Sequence, residues 1–467
     1  MLFSSFTFIF AFLPLTIFCY YILPDKIRNV FLLCASLCFY AWGDIGYLAL
    51  LLISIFINYL FAMFLSSIKE KSQNIKRIVL WLCILFNVGL LFYFKYFNFA
   101  LSLTRMILHM DIQPHSIVLP IGISFYTFQG LSYVIDVYRQ KVPANKNLLE
   151  LGLYISLFPQ LVAGPIVKYQ DVYQQIKHRV SSIPTFAYGI ERFIFGLTKK
   201  VMISNVLGEV TDKIFQSFTS GIDTPTAWLG ILCYTFQIYF DFSGYSDMAI
   251  GLGRMFGFDF RENFSYPYTA SSIQEFWRRW HISLSSWFKE YVYIPLGGSR
   301  KGNVYINLFI VFCITGLWHG AALTFIVWGL WHGIFVMLDK FIKRNNKLPK
   351  IPIFIQWFMT MFIVVIGWVF FRSSDLSEAL HYLKVLFGFN EIYKPELTAS
   401  FYLDGRILFT FIIAIIFSTP IFSILNKKWE SSTVYYFIKV IWLCILFIFC
   451  IIYLVNSTYN PFIYFQF

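Results

Sequence analysis

The stretch Gly316-Leu317-Trp318-His319-Gly320, set between the apolar runs 303–318 and 321–338, decides how the chain folds. Each run approaches the roughly 18 to 20 apolar residues that carry a helix across a bilayer. By hydropathy alone His319 sits at the outward turn of a helical hairpin; in a hollowed membrane domain it would stand inside the cavity. An ionisable side chain at membrane depth costs on the order of a few kcal/mol and usually has a function. Histidine takes and returns a proton near neutral pH, as acyl or phosphoryl transfer to a hydroxyl requires.

Outward from that stretch the same character continues. Of 467 residues, 58% are hydrophobic, 21% aromatic and only 13% charged, about half the charge of a soluble protein. The chain reads as an all-α polytopic membrane protein. Expected spans are 2–22, 29–42, 46–65, 78–97, 117–137, 148–167, 186–206, 225–250, 303–318, 321–338, 354–371, 406–424 and 435–455. Segment 1–23 has no basic start and no small-residue cleavage site, so it reads as a retained span. The eight cysteines form no Cys-x-x-Cys pair, which indicates neither a zinc site nor a disulfide framework. The net charge of +13 follows from Lys and Arg in cytoplasmic loops, and no nucleic-acid partner is expected.

Charge bias also orients the spans. Lys26 with Arg28, then Lys69, Lys71, Lys76 and Arg77, then Lys340, Lys343, Arg344, Lys347 and Lys350, then Lys427 with Lys428 mark cytoplasmic loops. The loop 372–406, with four basic and five acidic residues, faces outward, and both termini are expected to be extracytoplasmic. We read 1–467 as one membrane domain, with N-terminal helices in 1–110, a core holding both key histidines in 111–340 and C-terminal helices in 341–467. Pro120, Gly122 and Gly130, then Phe158-Pro159-Gln160 and Ala163-Gly164-Pro165, break two of the spans. Such breaks at membrane depth imply backbone buried in protein or lining a polar cavity. The basic amphipathic stretch 168–200, with Lys168, Lys177, Arg179, Arg192, Lys199 and Lys200, is placed on the inner membrane surface.

The tract from 237 to 302 carries the chemistry. Asp241, Ser243 and Asp247 stand in an apolar run, where they either shape a core through neighbours or act directly. Ser272 followed by Glu275 has capping-box spacing and predicts a helix start. From there Trp277, Trp280, His281, Leu284 and Phe288 share one helical face, with Arg278 and Arg279 turned elsewhere. Pro295-Leu296-Gly297-Gly298-Ser299-Arg300-Lys301 is a flexible basic turn that could hold phosphates through backbone N–H groups and side-chain charge. His332 follows His319 by thirteen residues; on one continuous helix, at about 100° per residue, it would point about 140° away. We therefore take His332 as structural. No histidine pair has ligand spacing for a metal.

These residues resemble the membrane-bound O-acyltransferases, in particular their bacterial alginate O-acetyltransferase branch. The resemblance runs through Leu119-Pro120-Ile121-Gly122, Phe158-Pro159-Gln160-Leu161-Val162-Ala163-Gly164-Pro165, Asp241-Phe242-Ser243-Gly244-Tyr245-Ser246-Asp247, Ser265-Tyr266-Pro267-Tyr268, Phe276-Trp277-Arg278-Arg279-Trp280-His281, Trp318-His319-Gly320, Phe371-Arg372 and Asn460-Pro461-Phe462. It implies a ring of about 11–13 transmembrane and re-entrant helices around a central funnel in a bacterial cytoplasmic membrane. It implies acetyl-CoA as donor substrate, with no bound cofactor, and an acceptor reached from outside through an extracytoplasmic acetyltransferase partner.

The family's central histidine maps to His319 and its second to His281. His319 is then the expected general base, and His281 either orients the donor or stabilises the oxyanion. Arg278, Arg279, Trp280, Arg300 and Lys301 are the candidate donor-binding residues, and Asp241, Ser243, Asp247 and Trp318 the polar tunnel lining. An acyltransferase serving a carrier or teichoic acid stands as the alternative. A polysaccharide or lipid transporter is a further reading, but the two related halves common in transporters are not found.

Overall fold

A computed structural model describes residues 1–69, 71–109, 113–162, 164–344, 351–389, 398–429, 432–457 and 459–463. Ala163, Lys347, Lys350 and the middle of loop 372–406 lie outside the described residues. Those described form helices, turns and irregular chain, with no strand among them.

Long apolar helices occupy Asp25–Asp44, Leu48–Ser67, Gln73–Leu91 (continued through a π-helical turn to Leu108), Leu323–Arg344, Ile353–Arg372 and Thr433–Asn456. Gly405–Phe417 and Ile421–Trp429 are two arms bent by 63°, replacing the single expected span 406–424. On Gln73–Leu91 the side chains of Ile78, Trp81, Leu82 and Leu85 are exposed, as are Phe437, Ile441, Trp442, Ile448 and Ile452 on Thr433–Asn456. Continuous apolar stripes of that length suit lipid and not water.

The expected span 117–137 is instead a helix of 16 residues, Ile123–Tyr138, buried on every side from Ile123 to Val137. It is entered through Gly122 at φ 72°, where a Cβ would also stand 2.9 Å from the Leu161 carbonyl oxygen. The span 148–167 is likewise broken, into Leu148–Ser156 and Phe158–Leu161. Loop 372–406 contains an unforeseen helix, Leu376–Leu386, capped by Asp375, which accepts the Glu378 N–H at 2.9 Å.

The chain forms two compact units, 1–193 with 246–261 and 194–245 with 262–467. In the first, Asn58 and Asn87 exchange side-chain amide hydrogen bonds of 3.0 and 3.2 Å inside the apolar packing. The second holds both key histidines. There Val304–His319 and Leu323–Arg344 pack antiparallel with their backbones in contact: a Cβ on Gly316 would lie 2.4 Å from the Phe325 carbonyl oxygen, and one on Gly329 2.4 Å from that of Phe312. Small residues permit such approach between membrane helices.

Candidate active site

Val304–His319 starts at Asn303, whose side chain accepts the Tyr305 N–H at 2.9 Å, and His319 is its last residue. Gly320 then turns the chain; a Cβ there would strike the Phe325 ring at 2.1 Å. Only glycine fits, so the turn follows directly on the histidine. His319 is 3% exposed, its imidazole edge-on to three rings: Trp318 and Trp328 at 4.9 Å and Phe371 at 5.3 Å between centroids. The hydropathy expectation of a hairpin turn holds.

His281 is reached differently from the sequence expectation. Ser272 does cap a helix, accepting the Glu275 N–H at 3.2 Å, but that helix, Ile273–Arg279, is only 7 residues long. The chain extends at Trp280 and turns left-handed at His281, φ 44° and ψ 55°, before the helix Ile282–Phe288 begins. The five residues expected on one helical face are therefore divided between two short helices and the break. Trp277, Trp280, His281, Leu284 and Phe288 are all buried nonetheless. Their apolar spacing reported burial correctly and continuity wrongly. The break is stabilised by main-chain bonds to a neighbouring extended segment, Ile282 N–H to the Asn263 carbonyl and Ser265 N–H to that of Arg279, each 2.9 Å.

The His281 ring is fully buried, with Nδ1 3.2 Å from Asn263 Oδ1 and Phe242 edge-on at 4.5 Å. It lies between helices too short to span a bilayer, and burial pushes its pKa down to about 3. Trp318 joins the two histidines, its ring centroid 6.0 Å from that of His281 and 4.9 Å from that of His319.

His332 also belongs to this row. Because the chain turns at Gly320, no single helix carries both histidines and the 140° argument does not apply. The ring of Trp328 lies 4.9 Å from His319 and 5.2 Å from His332. His332 is fully buried against Trp277 and Phe276, and neither of its nitrogens has a hydrogen-bond partner among the described residues.

The candidate donor residues separate. Trp280 is 2% exposed among Phe264, Phe276 and Trp368, inside the core. Arg279 is committed to Glu275 at 2.5 Å and to the Thr269 hydroxyl at 2.6 Å. Arg278, Arg300 and Lys301 are exposed. The turn at 295–301 does not offer its backbone as expected: the N–H groups of Gly297, Gly298, Arg300 and Lys301 all donate to carbonyls of residues 293–297. With those four engaged, an anion there would be met chiefly by the side chains of Arg300 and Lys301.

Among the tunnel candidates, Trp318 stands at the histidines and Ser243 is buried. Asp241 is instead one half of a buried ion pair with Lys200 at 2.5 Å, and its other oxygen accepts the Ile463 N–H at 2.9 Å. This also corrects Lys200, expected on the inner surface but 1% exposed, because a carboxylate and the Pro461 carbonyl receive its charge. Asp247, in the first unit, pairs with Arg192 at 2.7 Å. Each carboxylate therefore has a cationic partner. Sequence reasoning missed Asn263, Trp328 and Phe371 as neighbours of the histidines. A lone amide among aromatics at 260–264 was the only signal for the first.

Comparison with known proteins identifies the family. The family model of membrane-bound O-acyltransferases matches residues 32–374, which include the whole histidine row. The probable alginate O-acetylase of Pseudomonas syringae pv. tomato is 43% identical over 422 residues, covering 89% of this chain and 80% of that protein. The peptidoglycan O-acetyltransferase of Helicobacter pylori is 36% identical over 524 residues, 100% of this chain and 98% of that one. The teichoic acid D-alanyltransferase of Bacillus subtilis is 28% identical over 250 residues, half of this chain and 62% of its own length. Matched over most of its length and with its histidines buried in one aromatic row, this chain belongs to the membrane-bound O-acyltransferase family and is an acyltransferase.

Proposed function

We propose that the protein transfers acetyl groups from a cytosolic thioester, acetyl-CoA, for O-acetylation of an extracytoplasmic polysaccharide, with His319 as general base. The proposal also places the protein in a bacterial cytoplasmic membrane with both termini outside, beside an extracytoplasmic acetyltransferase that completes delivery.

The carrying observation is the join at Trp318, which sets His281 and His319 against one indole. In the proposed step His319 takes the proton of an acceptor hydroxyl while its oxygen attacks the thioester carbonyl. The carbon–sulfur bond breaks, and the proton passes to the departing thiolate. A base so placed contributes about 10² to 10⁴ in rate. Arg278, Arg300 and Lys301, exposed and positively charged, are the side chains left to meet the coenzyme's phosphates. The names of the alginate and peptidoglycan relatives favour an acetyl group on a surface polymer. The name of the D-alanyl relative keeps a teichoic-acid-directed transfer as the second reading.

The test uses membrane vesicles with radiolabelled acetyl-CoA, together with acetyl-ester assay of purified envelope polymers from cells with and without the protein. Label in the polymer that disappears with His319→Ala supports the proposal. Alanyl ester in place of acetyl ester would transfer the assignment to the second reading.

A further inference from the structure

We infer that Asn263 is a positioning residue for acyl transfer: it fixes the tautomer of His281 so that the ring presents Nε2 as a hydrogen-bond acceptor and not as a donor. The inference rests on His281 belonging to the acyl-transfer site.

The atoms determine the proton's place. Asn263 Oδ1 accepts the Ser283 N–H at 3.1 Å and the Ser283 hydroxyl at 2.8 Å, which identifies that atom as the amide's carbonyl oxygen. The same oxygen lies 3.2 Å from His281 Nδ1. A carbonyl oxygen only accepts, so the hydrogen of this contact sits on Nδ1. Ser283 Oγ, 3.4 Å from Nδ1 with its own hydrogen given to Asn263, does not supply it. In a neutral imidazole the other nitrogen then carries the lone pair.

Asn263, Ser283, Phe242, Phe264 and Trp318 are among the residues placed against the ring, and none of these five carries a charge. Nothing in that set favours an imidazolium, and burial opposes one. Asn263 is itself fully buried, and its main-chain carbonyl accepts the Ile282 N–H at 2.9 Å. Both halves of this residue thus engage 281–283 and maintain the left-handed turn at His281, a conformation that side chains other than glycine rarely adopt.

The consequence narrows the chemistry available to His281. Stabilising an oxyanion needs a donor, which this tautomer does not aim from Nε2. An acceptor at that atom recognises an N–H or O–H group, such as an amide of the donor's pantetheine arm or the acceptor alcohol, and orients it.

The experiment uses the full chain in lipid nanodiscs with ¹⁵N-labelled histidine, His281 being assigned by the resonances lost in His281→Gln. At neutral pH the wild type should show a protonated Nδ1 and a bare Nε2. Asn263→Asp preserves the acceptor but adds a carboxylate beside the ring, which favours the imidazolium by one to three pH units. The acid limb of kcat/KM for acetyl-CoA should therefore move up by at least one unit, a shift that loss of packing alone would not produce. An Nε2–H signal in the wild type, or a folded Asn263→Asp protein with an unmoved acid limb, overturns the inference. Should Asn263→Asp not fold, the wild-type resonances decide alone. Full transfer by His281→Gln would instead remove His281 from the site, a failure separate from the tautomer result.

Discussion

His319 and Trp328 meet across the turn of a helical hairpin, their ring centroids 4.9 Å apart and their planes at 84°. The contact fixes the imidazole edge-on, so the proposed base is oriented by packing and needs no substrate to place it. His319→Ala should reduce transfer of acetyl from acetyl-CoA by about 10²- to 10⁴-fold. The variant should extract into detergent as a monodisperse species with near-native thermal stability. Retention of more than a tenth of the activity would exclude His319 as the base.

Trp328 also supports His332, at 5.2 Å. Trp328→Ala removes a fully buried ring, a change that costs about 3–5 kcal/mol in well-packed cores. Trp328→Phe retains an aromatic edge and should recover much of the loss. Thermal unfolding in detergent, followed by tryptophan fluorescence, orders wild type above Phe and Phe above Ala.

The pair Lys200–Asp241 has side-chain exposures of 2% and 1%. Lys200→Met leaves a buried carboxylate without its cation and should cost about 3–5 kcal/mol. The double variant Lys200→Met with Asp241→Leu removes both charges and should unfold at a higher temperature than either single variant. Equal stabilities of the single and double variants would show that the charges are not coupled.

The pH response of His281 has a definite sign. Its folded pKa, near 3, lies below the ordinary value of about 6.5. The unfolded state then binds the extra proton between those limits. The stability this residue contributes is complete above about pH 6.5 and is lost as pH falls toward 3. Melting temperatures recorded from pH 7 to pH 4 should fall less steeply in His281→Gln than in wild type. Parallel curves would contradict the burial argument.

Arg300 and Lys301 are exposed, whereas Arg279 is tied to Glu275 at 2.5 Å. Arg300→Ala with Lys301→Ala should raise KM for acetyl-CoA about tenfold, equivalent to about 1.4 kcal/mol, with kcat preserved. Arg279→Ala should lower the melting temperature and leave KM unchanged in the fraction that remains folded. Initial-rate kinetics at several donor concentrations distinguishes the two patterns.

Much of this architecture was readable from the residues. Apolar length and helix-breaking residues located the long helices and the broken centre, and the two key histidines were found by their cost in an apolar surround. The break at His281 was not readable, because an apolar face repeats through a turn when both flanking segments bury the same side. Lys200 was misplaced for a related reason. Its charge pattern suits a surface until Asp241, forty-one positions on, supplies a counter-charge. Asn263 left only a faint trace, because its importance lies in three donors to its side-chain oxygen that only the folded chain assembles.

The contact of Gly316 with the Phe325 carbonyl has a mechanical corollary. Where two main chains touch with nothing flexible between them, sliding one past the other meets a hard wall. The ring at the hairpin's tip inherits that stiffness, so detergent or warmth that loosens peripheral packing should leave its aim intact. Activity would then persist almost undiminished until the two backbones separate, and vanish in a single step.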